Sequence, residues 1–249
     1  MKIAVCLSGH MRTWEHCFPN FEKYIMNVYS PDIYIHTWKT TGNSYLGIPD
    51  KDTFFVKYGF DRTYEIIDIE NIKKLYSPIK LEIEDYDEIE DKIKEESNFI
   101  DITRRGALDS PVETLLSFYR KRYLCNTLIK DNSYDIVILS RPDIIHRSKF
   151  VIDEDYTSTI ITPLEQSWWG LSDIFAYSTQ KNINIYCDLY HNLQRIQETT
   201  DVAMNSHMIL DKWLDINNMP VKKNNIDIKL MKIRDGIPYM HYEKSKSWK

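Results

Sequence analysis

Ile3-Ala4-Val5-Cys6-Leu7-Ser8-Gly9-His10-Met11-Arg12-Thr13-Trp14 decides the fold. Its first five residues form a continuous apolar run without polar alternation, the pattern of a parallel strand buried on both faces. Ser8-Gly9 ends that run. Trp14, Phe18, Phe21, Ile25 and Val28 then recur at spacings of 4, 3, 4 and 3, which predicts an amphipathic helix, and Pro19 inside it predicts a kink or a late start. Ser30-Pro31 breaks the helix, and Asp32-Ile33-Tyr34-Ile35-His36-Thr37-Trp38 supplies a second strand. Strand, helix and strand joined by short connections make a βαβ unit and so an α/β protein with a parallel sheet.

Composition narrows what such a sheet could bind. The chain has 249 residues, a net charge of −5, 17 Tyr, 9 Phe, 6 Trp and only 7 Gly. No two glycines stand two apart, so there is no G-x-G-x-x-G. Gly42 and Gly47 are followed by Ile48-Pro49, so there is no P-loop either. A nucleotide must be held here by something other than a glycine-rich cradle. The mild acidity speaks against a nucleic-acid binder, and no apolar run approaches the ~20 residues that span a bilayer. Cys6, Cys17, Cys125 and Cys187 are far apart with no C-x-x-C pair, which predicts reduced thiols in a cytoplasmic protein and speaks against a zinc site.

Further along, Gly42, Gly47, Pro49 and Gly59 mark residues 39–60 as a surface excursion. Tyr64–Ile69 and Ile79–Ile83 are predicted strands, and residues 84–101 a charge-dense, solvated helix. Ser110-Pro111-Val112-Glu113 is a helix start with a capping box. Val112, Leu115, Leu116, Tyr119, Tyr123, Leu124 and Leu128 form the stripe that follows. Tyr134–Ser140 is the clearest buried strand, and Thr159–Pro163 a short one. Trp168–Ser178 is an aromatic strand–loop segment, and helical spacing returns at Ile183–Gln197 and Val202–Ile216. No repeat or linker interrupts this order. We therefore expect one domain over 1–249, with a nucleotide-binding half to about residue 143 and an acceptor half beyond it.

Ligands of an open parallel sheet bind beyond the carboxyl ends of its strands. Three polar clusters fall there: Ser8-Gly9-His10-Met11-Arg12, His36-Thr37-Trp38 and Ser140-Arg141-Pro142-Asp143. Arginine presents a planar fork of donors suited to phosphate, and a helix beginning near Thr13 would turn free N–H groups to the same place. Asp143, just past a buried strand, suits Mg²⁺ or Mn²⁺. Plainer roles compete with each of these. Ser8-Gly9 can be a simple turn, and Arg12 can pair with Glu15 or Asp32. Arg141 and Asp143 can pair with each other, His36 can be a core histidine, and Trp168-Trp169 can be core instead of a ligand platform. Lys244, Lys246, Trp248 and Lys249 make either a solvated tail or a weak membrane-surface contact.

The opening block resembles that of a glycosyltransferase family of bacteria and large viruses. Asp32–Trp38 resembles the family's second strand, Tyr134–Asp143 the segment bearing its Asp-x-Asp equivalent, and Gly170-Leu171-Ser172-Asp173-Ile174-Phe175-Ala176-Tyr177 a later block. The likeness runs in order over residues 1–215 and is patchy between 40 and 110. It implies a GT-A-like single Rossmann-type αβα sandwich with a mostly parallel central sheet. The implied activity is transfer of a sugar from a nucleotide-sugar donor to a glycan or glycolipid acceptor. By position, Ser8, Gly9, His10, Arg12, His36, Trp38 and Arg141 would bind the donor, Asp143 a Mn or Mg ion, and Asp173 the sugar or acceptor. Asp173 and then His207 are the candidate catalytic bases.

Two departures from the family pattern matter. Arg141 replaces the first acid of Asp-x-Asp, which weakens chelation and opens metal-independent transfer. The late acid is missing from Asp201-Val202-Ala203-Met204-Asn205-Ser206-His207, leaving Asn205 or His207 in its place. A non-catalytic nucleotide- or glycan-binding protein and a sulfotransferase-like transferase are the alternatives.

Overall fold

The computed structural model describes residues 1–42, 65–99, 112–165, 167, 170–234 and 237–240. The proposed excursion beyond Gly42, the Ser110-Pro111 helix start, Trp168, Trp169 and the lysine-rich tail lie outside them.

A seven-stranded sheet runs in the order β3-β2-β1-β4-β7-β6-β8. Its strands are β1 (Ile3–Gly9), β2 (Asp32–Trp38), β3 (Lys80–Glu84), β4 (Ile136–Ser140), β6 (Ile160–Pro163), β7 (Ala176–Ser178) and β8 (Val221–Asn224). β1 pairs in parallel with β2 on one side and β4 on the other, and only β7 runs against the rest. A second sheet of three strands, β10-β9-β5, holds β5 (Ile144–His146), β9 (Ile228–Arg234) and β10 (Ile237–Met240).

Helices cover both faces of the larger sheet, and the alternation along β1 shows why. Ile3, Val5 and Leu7 enter one apolar cluster with Trp14, Phe18, Phe21 and Ile25. Ala4 and Cys6 enter the other with Leu115, Leu116 and Tyr119. On the first face lie α1 (Trp14–Phe21), continued by a π-helical segment (Glu22–Met26) and a last α turn (Asn27–Tyr29), and α2 (Ile69–Tyr76). Pro19 lies inside α1, and the regular α-helix gives way to the π-helical segment directly after Phe21. On the second face lie α3 (Tyr86–Ser97), α4 (Val112–Thr127), α5 (Gln180–Cys187), α6 (Leu189–Thr199) and α7 (Ser206–Ile216). The α/β sandwich with a mostly parallel sheet is thus the observed architecture.

The chain leaves β1 for β2 across one face and returns from β3 to β4 across the other. The topological switch point of the sheet therefore lies between the carboxyl ends of β1 and β4.

One predicted strand is corrected. Ile66 makes an isolated bridge to Thr40, and the following residues turn into α2. The cause is local: the Asp68 carboxylate accepts the Asn71 N–H at 3.0 Å and caps the helix.

Leu139 is fully buried at the centre of the sheet, between β1 and β7. Leu139→Ala is expected to lower stability by about 2–5 kcal/mol, measured by urea unfolding. A second test concerns His146 on β5. It is buried against Phe21 and Phe175, neither ring nitrogen has a hydrogen-bond partner among the described residues, and burial lowers its pKa to about 4. Between pH 6.5 and about 4 the unfolded chain therefore binds a proton that the folded chain refuses. Stability is complete above that window and falls by about 1.4 kcal/mol per pH unit within it. His146→Phe should flatten that part of the pH dependence, so that wild type loses about 2 kcal/mol more than the variant between pH 7 and 5. Equal slopes would show that His146 is not held neutral.

Candidate functional site

The switch point holds a three-residue charge cluster. Arg141, in the turn after β4, donates Nε to Asp143 Oδ1 at 2.8 Å and Nη2 to Oδ2 at 2.7 Å. Arg12, in the loop after β1, donates Nη1 to the same Oδ2 at 3.3 Å. The Asp143 backbone carbonyl accepts from Met231 N on β9 at 2.8 Å. Burial by itself would raise the Asp143 carboxyl, but Arg141 and then Arg12 outweigh it, and the group is held below its usual range. Burial lowers Arg12 to about 10 against the pull of Asp143, which leaves it charged at neutral pH. Its Nε is buried with no acceptor among the described residues.

Ser8 and Gly9 close β1 at the same edge. Gly9 has φ +108, which L side chains rarely adopt, although a Cβ there would meet nothing within 4 Å. The backbone conformation, not space, demands glycine. The Gly9 carbonyl accepts from Thr37 Oγ1 at 2.7 Å, which ties the end of β1 to β2. His10 Nδ1 lies 3.5 Å from the Thr40 carbonyl. Burial and then Arg12 push its pKa down to about 3, so it adds no charge to the cluster.

Asp173 reaches this edge because β7 is antiparallel. Leu139 pairs with Ala176, so the residues that enter β7 arrive where β4 leaves. Asp173 is near enough to add a favourable electrostatic contribution at Arg141. Its partner is His207, at the start of α7, where Asn205 caps the helix by accepting Met208 N–H at 3.0 Å. His207 Nε2 stands 4.0 Å from Asp173 Oδ1. Nδ1 lies 2.7 Å from the Leu171 carbonyl. A carbonyl only accepts, so Nδ1 carries a proton, and in the neutral ring Nε2 is the basic atom turned to Asp173. Gly170 makes this approach possible, since a Cβ there would lie 2.3 Å from the His207 carbonyl oxygen.

The fold therefore brings Arg12, Arg141, Asp143, Asp173 and His207 to one edge, with Ser8, Gly9 and His10 beside them. His36 and Trp38 are corrected to structural roles. His36 is buried in β2, and burial followed by Lys121 lowers its pKa to about 3. Trp38 is buried under the Lys121 ammonium, 3.5 Å from its ring centroid, with Tyr86 edge-on and His10 tilted against it. Neither is open to a nucleotide base.

The metal expectation at Asp143 does not fit these residues either. Both carboxylate oxygens are taken by guanidinium groups, a divalent cation there would stand beside two positive charges, and no group of three His, Cys, Asp or Glu side chains that could hold a metal occurs among the described residues. The plainer alternative, Arg141 paired with Asp143, is what the structure shows.

Sequence reasoning missed three consecutive buried cations on α4. Arg120 and Lys121 both bind Glu84 at the end of β3, Lys121 Nζ also donates to the Thr37 carbonyl at 2.9 Å, and the Glu84 carboxyl is lowered to about 2 against its own burial. Arg122 is fully buried and donates Nη2 to the Asp173 carbonyl, with the Phe118 and Tyr186 rings nearby. The available signal was their position, three charges in a helix whose neighbours Leu116, Tyr119 and Cys125 are all core residues.

No family model matches the chain, and no curated protein matches it. No helix among the described residues is long and apolar enough to cross a membrane. Among solved structures, the chain is similar to mouse xyloside xylosyltransferase 1 in its apo form, with 8% identity, 90% of this chain and 84% of that chain covered, and a TM-score of 0.44.

Proposed function

We propose that the chain is a glycosyltransferase that moves a sugar from a nucleotide-sugar to an acceptor hydroxyl on a glycan or glycolipid. One observation supports this reading above the others. Two guanidinium groups converge at the switch point of the sheet, where α/β proteins bind nucleotides, and an Asp–His pair stands at the same edge. Arg12 and Arg141 bind the donor's diphosphate and take up the charge that grows on it as it leaves.

Asp173 Oδ1 and His207 Nε2 are two acceptors 4.0 Å apart. An acceptor hydroxyl placed between them donates to one and gives up its proton as it attacks. The new bond joins that oxygen to the anomeric carbon. The bond from the same carbon to the phosphate oxygen breaks, and its electron pair leaves on the nucleoside diphosphate. His207 keeps its orientation through the Leu171 carbonyl, so its basic nitrogen stays toward the acceptor.

A transfer assay over a panel of nucleotide-sugars and sugar acceptors, read by mass spectrometry, tests the activity. Asp173→Asn is expected to lower kcat by about 10²-fold or more with donor affinity unchanged. Arg12→Ala should weaken binding of the nucleoside diphosphate by about tenfold or more, measured by calorimetry. A wild-type protein that binds neither UDP nor GDP would refute the reading. Tight nucleotide-sugar binding with no turnover on any acceptor would favour the binding-protein alternative.

A further inference from the structure

We propose that Asp143 is a built-in stand-in for the donor's phosphates: it holds Arg12 and Arg141 in place in the free protein, and the diphosphate then binds to that guanidinium pair without a divalent cation. This inference rests on the nucleotide-sugar reading and deepens it.

The layering of the cluster is the first ground. The Asp143 side chain is 0% exposed, whereas those of Arg12 and Arg141 are 16% and 18% exposed. The carboxylate is sealed from solvent, and what the trio exposes belongs to its two arginine side chains. An arriving cation meets positive charge, and an arriving phosphate meets N–H donors.

Donor arithmetic is the second ground. Each guanidinium carries five N–H groups. Asp143 takes two from Arg141 and one from Arg12. Most of the fork of Arg12 is therefore uncommitted to Asp143, and its buried Nε has no acceptor at all among the described residues. The trio also carries one net positive charge, since two guanidinium groups share one carboxylate.

The third ground is order. Arginine loses side-chain entropy when it is fixed. Asp143 fixes both side chains before the donor arrives, so binding meets a preformed fork. Asp143 thus acts as a positioning residue, and its charge competes with the phosphates that it prepares the site for. A metal ligand at the same position would behave in the opposite way, since removing its charge removes the metal.

Calorimetry with inorganic pyrophosphate, UDP and GDP, each in EDTA and in Mn²⁺, separates the two roles. Affinities in EDTA should stay within about threefold of those in Mn²⁺. Asp143→Asn should tighten pyrophosphate binding, and Arg141→Ala should weaken it by about tenfold or more. Binding that appears only with Mn²⁺, or that is lost in a folded Asp143→Asn protein, would overturn this inference and leave the nucleotide-sugar reading standing. Binding of neither UDP nor GDP under both conditions would overturn that reading itself. The chelator comparison uses the wild-type chain, so it decides the matter even if Asp143→Asn does not fold.

Discussion

A carboxylate with no exposure to water must be matched by cations held in good geometry, and Asp143 imposes that constraint on the whole carboxyl edge of the sheet. Its side chain fixes Arg141 two residues earlier in the chain and Arg12 across the sheet. Its backbone carbonyl accepts from Met231 in the smaller sheet, whose own carbonyl accepts from Thr13 at the start of α1. The ends of β1 and β4, the start of α1 and strand β9 are therefore fixed by one residue and its immediate bonds. Removing one partner of such a buried pair costs about 3–5 kcal/mol, because the other charge is left uncompensated. The same constraint leaves the trio with one more positive charge than negative, since a single carboxylate is shared by two guanidinium groups.

The parts of the fold that were legible in the sequence are those whose burial pattern is set by the backbone alone. Ile3–Leu7, Asp32–Trp38 and Ile136–Ser140 read as buried strands because a central parallel strand has no solvent face. Their order also placed Arg12, Arg141 and Asp143 at a common edge. Neither strand β5 of the smaller sheet nor β8 at the edge of the larger one was legible. β5 has three residues, β8 is Val221-Lys222-Lys223-Asn224, and neither contains enough residues to establish a period. Ile66 and Ile67 looked like strand because their apolar character is real, but the cap at Asp68 redirects the chain at once.

Side-chain direction marks the limit of that reading. Arg141-Pro142-Asp143 is equally compatible with a metal site and with an internal ion pair, since the residue types are the same and only the direction of the carboxylate differs. The structure turns it toward both arginines. Trp38 and His36 show the same limit. Their positions near the end of β2 were correct, yet Lys121 crosses from α4 to cover Trp38. A cation in the middle of a helix gives no sequence sign of which strand it will reach.

Arg120-Lys121-Arg122 explains how one helix can serve both flanks of the site. Successive residues are turned by about 100° around a helix, so Arg122 points about 200° away from Arg120. Arg120 and Lys121 reach Glu84 at the end of β3, while Arg122 reaches the Asp173 carbonyl before β7. β1 and β4 lie between those two flanks in the sheet order. The helix thus fixes the spacing between the outer strands of the edge while the Asp143 cluster fixes its centre. The described aromatics belong mostly to the packing around this arrangement. Trp14, Phe18 and Phe21 surround Tyr76, and Phe150 packs between Phe175 and Tyr177. Trp38 belongs to the same packing, since Lys121 covers its ring.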